Sequence, residues 1–153
     1  MESAALDAVK IDSQYTDERS PNTHTMEKAM LPSPVLDMKA FVPAKDPDLS
    51  KAFYTDLGFT INWSNDEIAE LQIGSFRFLL HKFYVAQHAG NFMMGLSVED
   101  VDVWWKHIQQ QRFVEKYPGI MCKPPAIQPW GIRVLFLSDP TGVLWHISEN
   151  PKS

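Results

Sequence analysis

The C-terminal third of the chain contains residue types that could bind a metal ion or a flat polar ligand. The segment Gln128-Pro129-Trp130-Gly131 precedes the turn Asp139-Pro140-Thr141-Gly142, and His146 follows within an apolar run. A neutral imidazole is a common ligand of divalent metals, and an indole ring offers a large face for stacking. By residue type, His146 could therefore contribute to a metal or ligand site, and Trp130 could stack on a flat ligand.

This stretch resembles the last strands of the vicinal-oxygen-chelate superfamily, which contains glyoxalase I, extradiol dioxygenases and bleomycin-resistance proteins. Ala44-Lys45-Asp46, Phe53-Tyr54 and Leu57-Gly58-Phe59 make the chain more similar to the bleomycin-resistance proteins. The resemblance extends from Leu36 to Glu149. It implies an α+β fold in which two βαβββ repeats form a curved mixed sheet with a concave cleft.

In the metal-dependent enzymes of that superfamily, four strands each supply one metal ligand. The resemblance places these four positions at Lys39, Leu79, Met93 and His146. A lysine ammonium has no lone pair, leucine has no donor atom, and methionine favours soft metals. His81 shares a strand face with Leu79, so a site of two histidines, His81 and His146, is the alternative. We expect no catalytic residue, no metal and no cofactor.

The elements that position these residues follow the same order twice. A helix opens at the N-cap Asp46 and closes at Gly58, and a second helix opens at Asp100. Hydrophobic patterning and turn residues define the remaining boundaries. The first repeat has strands at 36–42, 59–63, 68–73 and 76–83. The second has strands at 91–98, 121–127, 133–137 and 143–148, with its helix at about 100–113.

Length, charge and cysteine content limit the other possibilities. The 153 residues predict one domain, at 34–153, preceded by a flexible polar arm at 1–33, with Met26 or Met30 as alternative starts. The net charge of −5 argues against nucleic acid, and no apolar run is long enough to span a membrane. The single cysteine and the absence of a secretory signal predict a cytoplasmic protein.

The favoured function is non-catalytic binding or sequestration of a small aromatic or antibiotic-like ligand by a homodimer, as the resemblance to bleomycin-resistance proteins implies. The expected ligand-binding residues are Lys39, Phe41, Leu79, His81, Met93, Trp130 and His146. Lys39 and Arg77 would favour a neutral or anionic ligand. A metal-dependent glyoxalase- or dioxygenase-like enzyme is the alternative. A third hypothesis is a protein-interaction role that uses the N-terminal arm.

Several of the other conspicuous side chains are expected to be structural. Even His146 is predicted to hydrogen-bond a neighbour rather than a metal. The residues predicted to pack in the core or to form a salt bridge along a strand are Trp104, Trp105, Cys122, Arg133 and Trp145.

Overall fold

The computed structural model describes residues 30–151. The predicted arm at 1–33 therefore lies mostly outside the described residues. The elements, in chain order, are β1 Phe41–Pro43, α1 Pro47–Leu57, β2 Thr60–Ser64, β3 Ile68–Ile73, β4 Phe76–His81, α2 Ala86–Ala89, β5 Met93–Val98, α3 Val101–Gln110, α4 Phe113–Lys116, β6 Cys122–Ile127, β7 Arg133–Ser138 and β8 Leu144–Glu149.

Each repeat forms its own four-stranded mixed sheet, which confirms the predicted α+β class and the two βαβββ repeats. The strand orders are β1-β4-β3-β2 and β5-β8-β7-β6. In both sheets the first strand of the repeat pairs in parallel with the last, and the other pairs are antiparallel. Equivalent strands therefore occupy equivalent places in the two sheets.

The first strand is much shorter than predicted. The sequence indicated a strand at 36–42, whereas only Phe41–Pro43 are in strand conformation. These three residues are the ones that find ladder partners on β4, at Leu79–His81. An apolar run bounded by prolines is thus not sufficient for a strand where no neighbouring strand extends alongside it.

The ends of helix α1 follow from local chemistry, as predicted. Asp46 caps the N-terminus, where its side chain accepts a hydrogen bond from the backbone of Leu49. Pro47 occupies the first turn, where its missing N–H is not needed. Gly58 ends the helix with φ +124°, a conformation that a residue with a side chain rarely adopts.

The second repeat begins in the same way but its helix is interrupted. Asp100 caps α3 through hydrogen bonds from the backbone of Asp102 and Val103. The sequence predicted one helix to about residue 113, but α3 ends at Gln110 and α4 starts at Phe113. Arg112 between them has left-handed backbone geometry (φ 54°), which cannot continue an α-helix.

Both repeats share one hydrophobic core. Trp145 of β8 is buried against Tyr54 of α1, as predicted for a tryptophan under a helix. Its Nε1 donates to the Tyr54 hydroxyl (3.0 Å), which in turn donates to Oδ2 of Asp139 (2.6 Å). Asp139 Oδ1 accepts three backbone N–H groups of its own turn. This buried network connects the helix of the first repeat to the Asp139–Gly142 turn of the second.

Of the described residues, 39–151 make up one compact unit, and 30–38 belong to a separate one. Residues 30–33 form a turn followed by bends. Residues 34–38 form neither a strand nor a helix. No helix within residues 30–151 is long and apolar enough to cross a membrane.

Candidate functional site

Each sheet packs one face into the core and leaves the other face accessible. In the first sheet the core face carries Val42, Leu71, Phe78 and Leu80, all buried. Side chains alternate along a strand, so the residues between these point to the opposite side. We call that side the first open face, defined by Phe41, Trp63, Glu70, Gln72, Arg77, Leu79 and His81.

One row of the first open face runs across all four strands. Phe41 pairs with Leu79, Leu79 with Glu70, and Glu70 with Trp63. Phe41 is 57% exposed and Trp63 is 46% exposed. With strands about 4.8 Å apart, the two rings stand roughly 14 Å from each other across the sheet. The row thus has an aromatic side chain at each end and an aliphatic and an acidic one between.

Glu70 is a buried carboxylate at the centre of a polar cluster on this face. It is only 7% exposed, yet it has several partners. Asn62 Nδ2 donates to its Oε1 (2.9 Å), Lys39 Nζ lies 3.3 Å from Oε2, and Arg77 Nη1 lies 4.0 Å from Oε1. The hydrogen bond from Asn62 lowers the pKa of Glu70, and the positive charges of Lys39 and Arg77 lower it further. Glu70 therefore stays ionised at neutral pH.

The second open face is defined by Met93, Gly95, Ser97, Phe136, Leu144, His146 and Ser148. Ladder pairing joins Gly95 to His146 and His146 to Phe136, so these three form a row. The imidazole contacts the Phe136 ring edge-on, with centroids 4.8 Å apart. Met93 lies two residues from Gly95 on the same face and is 63% exposed.

The imidazole of His146 has a buried nitrogen without a hydrogen-bond partner. No described residue bonds to Nε2, although this atom is inaccessible to solvent. The hydrogen bond predicted between His146 and a neighbour is not made by Nε2, because the adjacent positions across the sheet are a glycine and a phenylalanine. A buried polar atom left unpaired costs about 1–3 kcal/mol, so such an atom needs an explanation.

Two of the predicted ligand-binding residues, Phe41 and His81, line a common cavity of about 260 Å³. His81 lies between the rings of Phe41 and Phe83, and its Nδ1 accepts the backbone N–H of Phe83 (3.3 Å). Trp130 is exposed on the turn between β6 and β7. The seven predicted residues therefore fall on two faces and one turn of a single chain.

The four positions that would hold a metal do not fit one. Lys39 is an ammonium held by Glu70, Leu79 has no donor, and His146 is flanked by Gly95 and Phe136. Within residues 30–151, no three His, Cys, Asp or Glu side chains converge. His81 belongs to the first sheet and His146 to the second, and neither has the further donors that a divalent metal requires.

Sequence reasoning missed Glu70, Asn62 and Trp63. The alternation of Glu70 and Gln72 with apolar residues on β3 was a usable signal for a polar face. Asn62 was not predictable, because it is the extra residue of a β-bulge between Ile61 and Trp63. The bulge brings Asn62 to the side of Glu70, where its amide bridges Glu70 and Gln72.

The residues predicted to be structural are only partly placed as expected, because Arg133 pairs mainly with a helix rather than along its strand, and the Cys122 thiol is not fully buried. Arg133 donates two hydrogen bonds of 2.9 Å to Asp102 on α3 and lies 3.7 Å from Glu149. Trp104 and Trp105 are half-buried against the core. Cys122 is half-buried too, and burial raises the pKa of its thiol.

Known proteins share this architecture. The family model of the Glyoxalase/Bleomycin resistance protein/Dioxygenase superfamily matches residues 36–147. A bleomycin-binding protein complexed with bleomycin is 24% identical, with a TM-score of 0.66 over 76% of this chain and 100% of that chain. The bleomycin-binding protein of Streptomyces verticillus, complexed with copper(II)-bleomycin, is 21% identical, with a TM-score of 0.64 over 77% of this chain and 100% of the other.

A lactoylglutathione lyase from Agrobacterium tumefaciens also has this fold. It is 18% identical, with a TM-score of 0.57 over 77% of this chain and 96% of the lyase. At these identities the likeness establishes the fold alone. No curated protein matches the sequence.

Proposed function

Since the chain belongs to the glyoxalase/bleomycin resistance protein/dioxygenase superfamily, we propose that it is a non-catalytic small-molecule binding protein of the bleomycin-resistance type. The observation that carries this proposal is the unpartnered Nε2 of His146 on the second open face. We propose that the side chains covering this nitrogen move aside on binding, so that a ligand which hydrogen-bonds it removes the cost of burying it. Binding, rather than chemistry, is the role that this single polar atom among apolar neighbours supports.

The size and composition of the open faces support an aromatic ligand. Phe41 and Trp63 offer accessible rings at the two ends of one row, and Met93 offers a polarizable thioether on the other face. Lys39 and Arg77 stand beside Glu70. We therefore propose that the ligand carries a neutral or anionic group rather than a positive charge.

We further propose a cytoplasmic homodimer. Large apolar side chains are exposed on both open faces, and a second copy would cover them. Such an assembly would allow the first open face of one subunit to meet the second open face of its partner. The expected mass in solution is twice the 17.5 kDa of one chain, measured by light scattering. A mass of one chain at micromolar concentration would refute this part.

The binding proposal is tested by ligand-induced stabilisation. A panel of planar aromatic antibiotics, including bleomycin, and aromatic metabolites is screened by thermal shift. A true ligand at a hundredfold excess over Kd stabilises the protein by about 2.7 kcal/mol. His146→Leu should abolish the shift, whereas Lys106→Leu, which replaces an exposed side chain of α3 outside both open faces and outside the cavity lined by Phe41 and His81, should not. A ligand that binds His146→Leu undiminished would overturn the role of His146.

A metal-dependent enzyme is the second candidate, because the resemblance to enzymes of the superfamily implies a metal ligand at His146. It is tested by elemental analysis of protein purified without chelators and then supplied with Mn, Ni, Zn or Fe(II). Stoichiometric metal that is lost in His146→Ala would favour the enzyme over the binding protein. Absence of bound metal under all four conditions would eliminate this candidate.

A further inference from the structure

A second cavity lies between the two repeats. Its volume is about 280 Å³, near the lower end of the roughly 300–1,000 Å³ typical of ligand pockets. The walls are mainly apolar and come from both repeats, among them Phe59, Phe78, Met94 and Trp145. None of the seven predicted ligand-binding residues lines it. Arg77 of the first open face and Gly95 and Ser97 of the second do line it, so the cavity borders both faces.

Arg77 gives this cavity a charge. Of the described residues that line the cavity, only Arg77 is charged. Its side chain is 42% exposed, and its distance of 4.0 Å from Glu70 is at the outer limit of an ion pair. A guanidinium has five N–H donors in a planar fork, so it can keep its existing partners, Glu70 among them, and still bind a further carboxylate.

The edge of strand β5 adds neutral polar groups beside Arg77. Within the described chain β5 pairs only with β8, so its other edge is open. The Phe92 carbonyl accepts a hydrogen bond from the backbone N–H of Leu144 on β8 (3.0 Å). This bond determines which residues of β5 direct their backbone groups toward β8. By the alternation of a parallel ladder, the backbone groups of Gly95 and Ser97 point away from β8, and both residues line the cavity.

We propose that this cavity binds a small carboxylic acid with an apolar body, such as a medium-chain fatty acid. The carboxylate would contact the Arg77 guanidinium and the open edge of β5 near Ser97. The alkyl or aryl body would fill the space between Phe59, Phe78 and Trp145. The cavity would be positively charged at one end and apolar along the rest. It should therefore exclude cations, and also strongly hydrated anions such as inorganic phosphate.

Two adjacent methionines make the test site-specific. Met94 lines the cavity, whereas Met93 points to the second open face. The full-length protein, labelled with ¹³C at its methionine methyl groups, is titrated with decanoate and with decanol, which has the same alkyl chain without the charge. Met93→Leu and Met94→Leu assign the two signals. We expect decanoate to shift the Met94 signal and to bind about tenfold more tightly than decanol.

Charge variants complete the experiment. Arg77→Met should bind the acid and the alcohol equally, and Arg77→Lys should retain part of the preference. Lys82→Gln, which removes a cation from an exposed ion pair with Glu67 (3.8 Å), should behave like the unmodified protein. Equal affinity of the unmodified protein for decanoate and decanol would overturn the proposal. So would a preference that survives in Arg77→Met, or a shift of Met93 alone, which would place the acid on the second open face.

Discussion

Replacing Tyr54 by phenylalanine should destabilise the protein by about 2–4.5 kcal/mol. The ring keeps its edge-on contacts with Phe53, Phe59 and Phe78, so only the buried hydroxyl is lost. That hydroxyl donates to the carboxyl of Asp139 and accepts from the Trp145 indole. A hydrogen bond to a charged group contributes about 1.5–3 kcal/mol and a neutral one about 0.5–1.5 kcal/mol, which gives the range stated.

Urea unfolding monitored by circular dichroism measures the change, and the slope m should stay constant because the folded and unfolded surfaces are unchanged. Tyr117→Phe is the matched control. Tyr117 donates to Asp56 at the same 2.6 Å, but that pair is only partly buried, so its loss should cost less. A loss below about 1 kcal/mol for Tyr54→Phe would refute the argument that the phenol stabilises a buried carboxylate.

The pH dependence gives the same prediction a second readout. Burial, and then the nearby Asp139 carboxyl, raise the pKa of Tyr54 well above its usual value. The folded state therefore keeps this proton at a pH where the unfolded chain, with a tyrosine pKa of about 10, releases it. Stability falls as pH rises above about 10, by up to ~1.4 kcal/mol per pH unit for this group. Tyr54→Phe should lack that part of the alkaline slope.

Three further predictions follow from single contacts. Glu70→Gln should lose more stability at pH 7 than at pH 3 in urea titrations, because a carboxyl with a lowered pKa stabilises only while ionised. Gly142→Ala should cost about 1–3 kcal/mol by calorimetry, since φ is +104° there, whereas Gly95→Ala meets no atom within 4 Å and should cost less. Arg133→Met should cost less than about 1 kcal/mol, because its paired Asp102 is largely exposed.

The parts of the fold that sequence predicted well are those governed by neighbouring residues. The helix start at Asp46 and the stop at Gly58 depend on side-chain capping and on φ within a few residues. The strand at 36–42 was overestimated because strand length depends on a distant partner. The break at Arg112 was missed because nothing in its residue type favours left-handed geometry.

The candidate site was harder to predict because it depends on register between strands. Phe41 and His81 were expected together, and they line one cavity. Trp63 and Glu70 became visible only when the pairing placed them in a row with Leu79. The partnerless Nε2 of His146 follows from its neighbours across the sheet, Gly95 and Phe136, which no spacing along the chain reveals. The roles of the seven predicted residues stay predictions.

The hydrogen bond between Tyr54 and Asp139 also determines how this duplicated chain can be divided. The phenol belongs to the first repeat and the carboxyl to the second, and both are buried. A backbone cut in the connection after Ala89 should leave each fragment with an exposed half-core and unfolded by itself. Mixing the two fragments should restore the fold, because only the complex contains both partners. We therefore expect the two repeats, although each has its own sheet, to fold and unfold as one cooperative unit.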